Sequence, residues 1–189
     1  MESSTDMRGS TDGEVGPGGA ATGRGGPAAG RAAPRPQGAY TAAVVDGPLA
    51  FTAGMTPRVD GTLVARGRVG AELDLPAARE AAGLAARNAV AALVAALGDP
   101  GRLRRFLRMT VYVACTDDFH DLSAVADGAS QGLVAAYGDL VTGDGAGPPD
   151  PDPRAPGVPL PVRSAIGVRT LPQNAPVEVE LTAAVRAEP

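Results

Sequence analysis

The placement of glycine and proline limits this chain more than any other feature. Residues 1–36 hold 9 Gly and 4 Pro, and residues 141–161 hold 4 Gly and 7 Pro. These two stretches carry 24 of the 44 Gly and Pro residues in 57 of the 189 positions. Residues 1–36 contain no aromatic and almost no branched aliphatic side chain. They cannot bury enough apolar surface to offset the entropy of ordering, so a disordered tail is expected there. Residues 141–161 read as a Pro/Gly/Asp-rich loop inserted into one domain spanning 37–189, too long for an ordinary connection. The remaining residues have near-ordinary Gly and Pro usage and suffice for one small core.

Composition removes several chemistries. All 17 basic residues are Arg. Without Lys there is no Schiff-base lysine and no Walker-type phosphate loop. One His (His120) and one Cys (Cys115) exclude a Cys/His metal cluster and an internal disulfide. A Ser-His-Asp arrangement would have to use His120. The net charge of −4 and an aromatic content of 3% disfavour a nucleic-acid partner. No apolar run reaches membrane-spanning length and the N-terminus lacks an apolar signal core, so a soluble cytoplasmic protein is expected.

From Tyr40 onward the pattern becomes foldable. Ala42, Val44 and Val45, then Leu49, Phe51 and Ala53, read as two short strands around the Asp46-Gly47-Pro48 turn. A third extended piece is expected at 62–64, after Asp60-Gly61. Residues 76–97 read as a helix with Asp74 as cap and Pro76 in its first turn. Gly98-Asp99-Pro100-Gly101 stops it. The apolar run 109–115 (MTVYVAC) reads as a buried strand. A second helix is expected over 118–137, with His120, Asp127 and Gln131 on its polar face and Gly128 as a weak point. Two alternating strands close the chain. One sets Val162, Ser164, Ile166 and Val168 against Arg163, Ala165, Gly167 and Arg169. The other sets Val177, Val179 and Leu181 against Glu178, Glu180 and Thr182. Their apolar faces are expected to meet the helices. The order predicts an α+β domain with two helices on one face of a sheet, the other face meeting water or another subunit.

The stretch Pro161-Val162-Arg163-Ser164-Ala165-Ile166-Gly167-Val168-Arg169-Thr170-Leu171-Pro172, followed by Val177-Glu178-Val179-Glu180, resembles the signature of the RidA (YjgF-type) family. Upstream, the resemblance takes in Gly38-Ala39-Tyr40, Phe51-Thr52-Ala53-Gly54, Asn88 and Thr110-Val111-Tyr112-Val113. It covers about residues 37–140 and 161–186, with the look of a divergent branch. It implies a chorismate-mutase-like α+β fold with a mixed sheet of about six strands. It also implies a homotrimer with clefts between subunits and no cofactor. The implied reaction is hydrolytic deamination of 2-imino or enamino acids to 2-keto acids and ammonia.

By the same resemblance, Arg163 would hold the substrate carboxylate and Glu178 would orient the attacking water. Tyr40, Gly54 and Ala165 would line the cleft. Each residue also has a plainer reading. Arg163 could be a structural partner of Glu180 or another carboxylate, Glu178 a solvated strand residue, and Tyr40 a half-buried core side chain. Related deaminases often carry Cys, Ser or Thr where this chain has Ala165, and the archetype carries Glu where it has Gly167. A non-catalytic trimer that binds small carboxylates therefore stays open beside the enzyme. A symmetric hairpin of the last two strands would hold Arg163 and Glu178 ~20 Å apart. One substrate could reach both only if these strands pair otherwise or a neighbouring subunit supplies one residue. His120 reads as a surface residue and Cys115 as an inert core thiol. Arg102, Arg104, Arg105 and Arg108 read as a solvated helix–strand junction, with RNA contact as the lesser alternative.

Overall fold

The computed structural model describes residues 35–141 and 160–186. The expected tail and the expected 141–161 loop lie, apart from their ends, outside the described residues. The described chain is an α+β fold, two helices on one face of a mixed sheet. The elements run β1 (Ala43–Asp46), β2 (Leu49–Thr52), β3 (Arg58–Val59), β4 (Thr62–Leu63), α1 (Leu75–Leu97), β5 (Leu103–Ala114), α2 (Leu122–Val141), β6 (Val162–Val168) and β7 (Val177–Val185). The main sheet has five strands in the order β1-β2-β7-β5-β6, and β3 and β4 form a separate hairpin. Five strands stand where about six were expected, because the extended piece near 62–64 pairs only with Arg58–Val59. Asp60 and Gly61, both at positive φ, close that hairpin.

β5 organises the sheet. It pairs antiparallel with β7 and parallel with β6. The parallel pairing needs a crossover, and α2 supplies it. β5 begins at Leu103, six residues before the expected strand. Register shifts between Leu103 and Arg105 and between Phe106 and Arg108 break the alternation there. Those bulges hide a strand inside what reads as an Arg-rich junction. Arg104, Arg105 and Arg108 are therefore exposed strand residues, and Arg102 ends a short 3-10 turn.

Both helices cover the same face. Asp74 caps α1, its Oδ1 accepting from the Ala77 N–H at 2.9 Å, and Gly98 at φ 73° ends it. α1 is long and apolar enough to cross a membrane, but 67% of that window is buried in the fold, as befits a core helix. Its buried face is built mainly of alanines, among them Ala78, Ala82, Ala85 and Ala89. Such a face lets α2 approach to backbone contact. A Cβ added at Gly128 would lie 2.3 Å from the Arg79 carbonyl oxygen, and one at Gly132 would lie 2.2 Å from that of Gly83. Gly128 is thus a crossing point rather than a break, and α2 runs unbroken through it. The helix starts at Leu122 rather than 118, because Thr116–Phe119 forms a turn whose Thr116 N–H is held by the Val69 carbonyl.

The core between helices and sheet centres on Phe106, Met109, Leu93, Leu133 and Leu181, all nearly or fully buried. Val177, Val179 and Leu181 of β7 face the helices as expected. β6 does the reverse. Val162 and Ile166 are 69% and 39% exposed, while Ala165 packs toward the core. The edge strand lies under α2, which leaves room for small side chains and gives Arg163 polar partners. The face away from the helices, which nothing among the described residues covers, carries exposed Val44 and Phe51 with Val162 and Ile166. Between them lie Arg108, Tyr112, Glu178 and Glu180, by strand register.

Gly132→Ala is expected to lower unfolding stability by about 1–3 kcal/mol, despite alanine's better helix propensity, because its methyl has no room against Gly83. Urea denaturation checks this, and an unchanged midpoint would contradict the close crossing.

Candidate functional site

Arg163 sits near the start of β6, opposite Met109 of β5, and its side chain reaches α2. Ser123, Asp127 and Ser130, spaced by four and three residues, share one stripe of that helix. Arg163 Nη1 donates to Asp127 Oδ1 at 2.9 Å and to Ser130 Oγ at 2.8 Å. Nη2 donates to Ser123 Oγ at 3.1 Å and, more weakly, to the Ser123 carbonyl at 3.4 Å. The ion pair is partly open to solvent, with 22% and 34% of the Arg163 and Asp127 side chains exposed. Glu180 is not its partner, and Asp127 faces Arg163 rather than open solvent. Ser123, Asp127 and Ser130 escaped sequence reasoning as partners of Arg163. Their spacing was the available signal, but nothing in it fixed which strand they would face.

Glu178 sits in β7 opposite Tyr112. It lies on the uncovered face, whereas Arg163 lies on the helix face. Gly54 makes its place possible, since a Cβ there would lie 1.9 Å from Glu178 Oε1. The bare glycine lets the carboxylate fold down onto the backbone after β2. Burial, and then the negative charge of Glu180, push the Glu178 carboxyl above its ordinary value. Glu180 accepts a hydrogen bond from the Tyr112 hydroxyl at 3.1 Å. Burial first and Glu180 second raise the Tyr112 hydroxyl. Tyr112 thus joins the acidic cluster through its place on β5, a role its strand alternation alone did not announce.

The strands bearing Arg163 and Glu178 do not form a hairpin, because β5 lies between them. Met109 pairs with Arg163, and Tyr112 with Glu178. That is three residues along and two strands across, roughly 14 Å between backbones, on opposite faces. Tyr40 precedes β1 at the far edge of the sheet, about 19 Å across from β6. It is 48% exposed, and its hydroxyl accepts from the Gln37 N–H at 3.2 Å. A single chain thus brings Gly54 to Glu178 and keeps Ala165 on the face of Arg163, but it unites neither group with the other nor with Tyr40.

The remaining candidates fall into structural places. Asn88 is buried, and its Nδ2 donates to the Thr56 and Arg58 carbonyls, tying α1 to the loop after β2. His120 is exposed in the segment before α2, not on the helix. Burial, followed by the charge of Asp117, raises the Cys115 thiol, the opposite of what a nucleophile needs. Among the described residues no group of His, Cys, Asp and Glu is placed to hold a metal.

A mixed five-stranded sheet, helices on one face and a charged, partly apolar surface on the other, defines a small two-layer α+β class. Within it, the family model described as Endoribonuclease L-PSP matches residues 30–185. The chain belongs to that family, also called YjgF/RidA. "Protein TCP17" of Trypanosoma cruzi is 32% identical over 141 residues, 75% of this chain and 78% of that protein. A protein of unknown function from Agrobacterium tumefaciens has a similar structure, with TM-score 0.66 and 29% identity over 80% of this chain and 86% of its own. A candidate endoribonuclease from Shewanella oneidensis shares the fold, with TM-score 0.67 and 22% identity over 81% of this chain and 89% of its own.

Arg163→Ala and Asp127→Ala are expected to be non-additive, with a coupling of about 1 kcal/mol for a partly exposed pair. A double-mutant cycle by urea unfolding checks this, and strict additivity would show that the pair holds nothing in place.

Proposed function

We propose that this protein hydrolyses 2-imino acids and their enamine tautomers to 2-keto acids and ammonia, in clefts between the copies of a homotrimer. The observation that carries this reading is Glu178, a half-buried carboxylate laid over Gly54 on the uncovered sheet face. With its proton affinity raised by burial and by Glu180, such a group is a better proton acceptor than an ordinary carboxylate. In the proposed reaction a water oxygen bonds to the carbon of the protonated imine while Glu178 takes one of the water's protons and the C=N pair moves to nitrogen, giving a neutral carbinolamine. The carboxyl returns that proton to nitrogen, the C–N bond breaks as the carbonyl forms, and the hydroxyl proton passes to solvent. The keto acid, ammonia and one released proton balance the protonated imine and water consumed. No electron transfer occurs and no cofactor enters.

Arg163 would bind the substrate carboxylate. Asp127 and Ser130 hold its Nη1, whereas among the described residues the Nε–Nη2 edge carries only the Ser123 bonds. A carboxylate taking that edge bidentately would displace Ser123 and leave Asp127 in place. Asp127 is then a positioning residue. The two functional groups lie on opposite faces of one sheet, so Glu178 would come from a neighbouring copy, with Tyr40 lining the same cleft. The exposed Val44, Phe51, Val162 and Ile166 support burial of the uncovered face by such a neighbour.

One observation favours a second reading. Ala165 and Gly167 lie on the Arg163 side of β6 and offer no polar side-chain atom to hold water. A trimer that binds a small 2-keto acid without turnover fits that face equally well.

The test is hydrolysis of 2-iminopropanoate, and of a bulkier 2-imino acid, each generated in situ. Wild type is expected to accelerate it, and Glu178→Gln to lower kcat about 100-fold or more. The wild-type rate should climb with pH through a value above 4.5, as the carboxyl loses its proton, while the Gln variant stays flat. Wild-type turnover by the Gln variant would sink the assigned role. Tight keto-acid binding without any turnover would replace the enzyme with the binding module.

A further inference from the structure

A cavity lies four residues along β6 from Arg163, about 13 Å away by strand rise. Its volume is about 440 Å³, within the roughly 300–1,000 Å³ of small-molecule clefts. Its less exposed lining comes from Cys115, Phe119, Leu122 and Val168, with the polar Thr116 among them. Its exposed lining comes from Gly167 and three charged residues, Arg68, Arg169 and Asp117. The lining holds two guanidinium groups and one carboxylate, with the Glu72 carboxylate beside Arg68 and that of Asp118 beside Thr116 at its edge. Among the described residues neither guanidinium donates a side-chain hydrogen bond. Glu72, beside Arg68, takes the Arg68 main-chain N–H instead.

Main-chain bonds fix the walls. The Val69 N–H donates to the Ala114 carbonyl at 2.8 Å, and the Thr116 N–H donates back to the Val69 carbonyl at 3.0 Å. The Cys115 N–H donates to the Val168 carbonyl at 3.3 Å. The segment bearing Arg68 and the end of β6 bearing Arg169 are thereby held to the same end of β5. Gly167 keeps the space open. A Cβ there would touch Cys115 Sγ and Leu122 Cδ1 at 3.4 Å, so any longer side chain would grow into the cavity.

We propose that this cavity binds a small carboxylate carried on an apolar body, at a site separate from Arg163. The apolar lining takes the body by excluding water from it. Arg68 and Arg169 take the carboxylate through charge-assisted hydrogen bonds. Asp117 selects against ligands with a second anionic group near the first, by like-charge repulsion.

Titrating the full chain with hexanoate, and recording amide shifts by NMR, tests this directly. Acetate and 1-hexanol serve as comparators, one lacking the body and the other the charge. Hexanoate is expected to shift the amides of Cys115, Phe119 and Gly167, and to bind about tenfold more tightly than either comparator. Arg169→Ala, at an exposed position, should weaken hexanoate about tenfold. Gly167→Val should abolish binding, and Arg163→Ala should leave it unchanged. Three results would overturn the site: equal binding of 1-hexanol, unchanged affinity in Arg169→Ala, or hexanoate shifts confined to Ser123 and Asp127 and lost with Arg163. Because Arg163→Ala separates this site from the proposed reaction centre, the failure of one leaves the other standing.

Discussion

The position of β5 between β6 and β7 is the constraint on which the rest depends. A 12-residue strand pairs with one neighbour in each direction sense, and everything chemical hangs from its two registers. The parallel partner requires the α2 crossover, which brings Ser123, Asp127 and Ser130 to Arg163. The antiparallel partner sets Glu178 and Glu180 beside Tyr112. The same insertion keeps Arg163 and Glu178 on separate strands and faces. The fold thus holds the two candidate groups apart, and the proposed reaction needs a neighbouring copy to join them.

Close helix packing supports this division. Alanines on α1 and glycines on α2 bring the helices to backbone contact, which makes the layer above the sheet compact. The ion pair of Arg163 and Asp127 then bridges α2 and the edge strand. Without it, an arginine on the helix side of β6 would be a poorly paired charge half out of water. Its pairing gives the guanidinium a fixed direction and leaves one edge with the weaker contacts. On the other face, a raised carboxylate, a second carboxylate and a tyrosine hydroxyl lie among exposed apolar residues. Such a mixture suits the interface that the proposed reaction would use.

Much of this was legible in the amino-acid sequence because local chemistry decided it. Asp74, Pro76 and Gly98 mark α1 by capping physics alone, and the alternation in 177–185 assigns β7 and its buried face. Arg163 and Glu178 stood out through a resemblance in spacing, not through periodicity. What was not legible depended on pairing. The first half of β5 was hidden by two bulges and by its arginines. The facing of β6 was misread, since Val and Ile outvote Arg and Gly in any count of hydrophobicity, yet the edge strand turns them outward. The partners Asp127 and Ser130 sit on another element, so only the crossover geometry could name them. Gly128 was read as a helix weakness from propensity, whereas tertiary contact makes it a necessity.

The central claim is that each reaction centre takes Arg163 from one copy and Glu178 from another. The direct measurement is activity in mixed assemblies. Arg163→Ala and Glu178→Gln chains, each inactive alone, are unfolded together in equal amounts and refolded. The account predicts recovery of about one quarter of the wild-type rate per cleft, because one in four random neighbour pairs supplies both intact residues. No recovery, from mixed trimers shown to have formed, would place both residues in one subunit's site or neither in any, and would contradict the account.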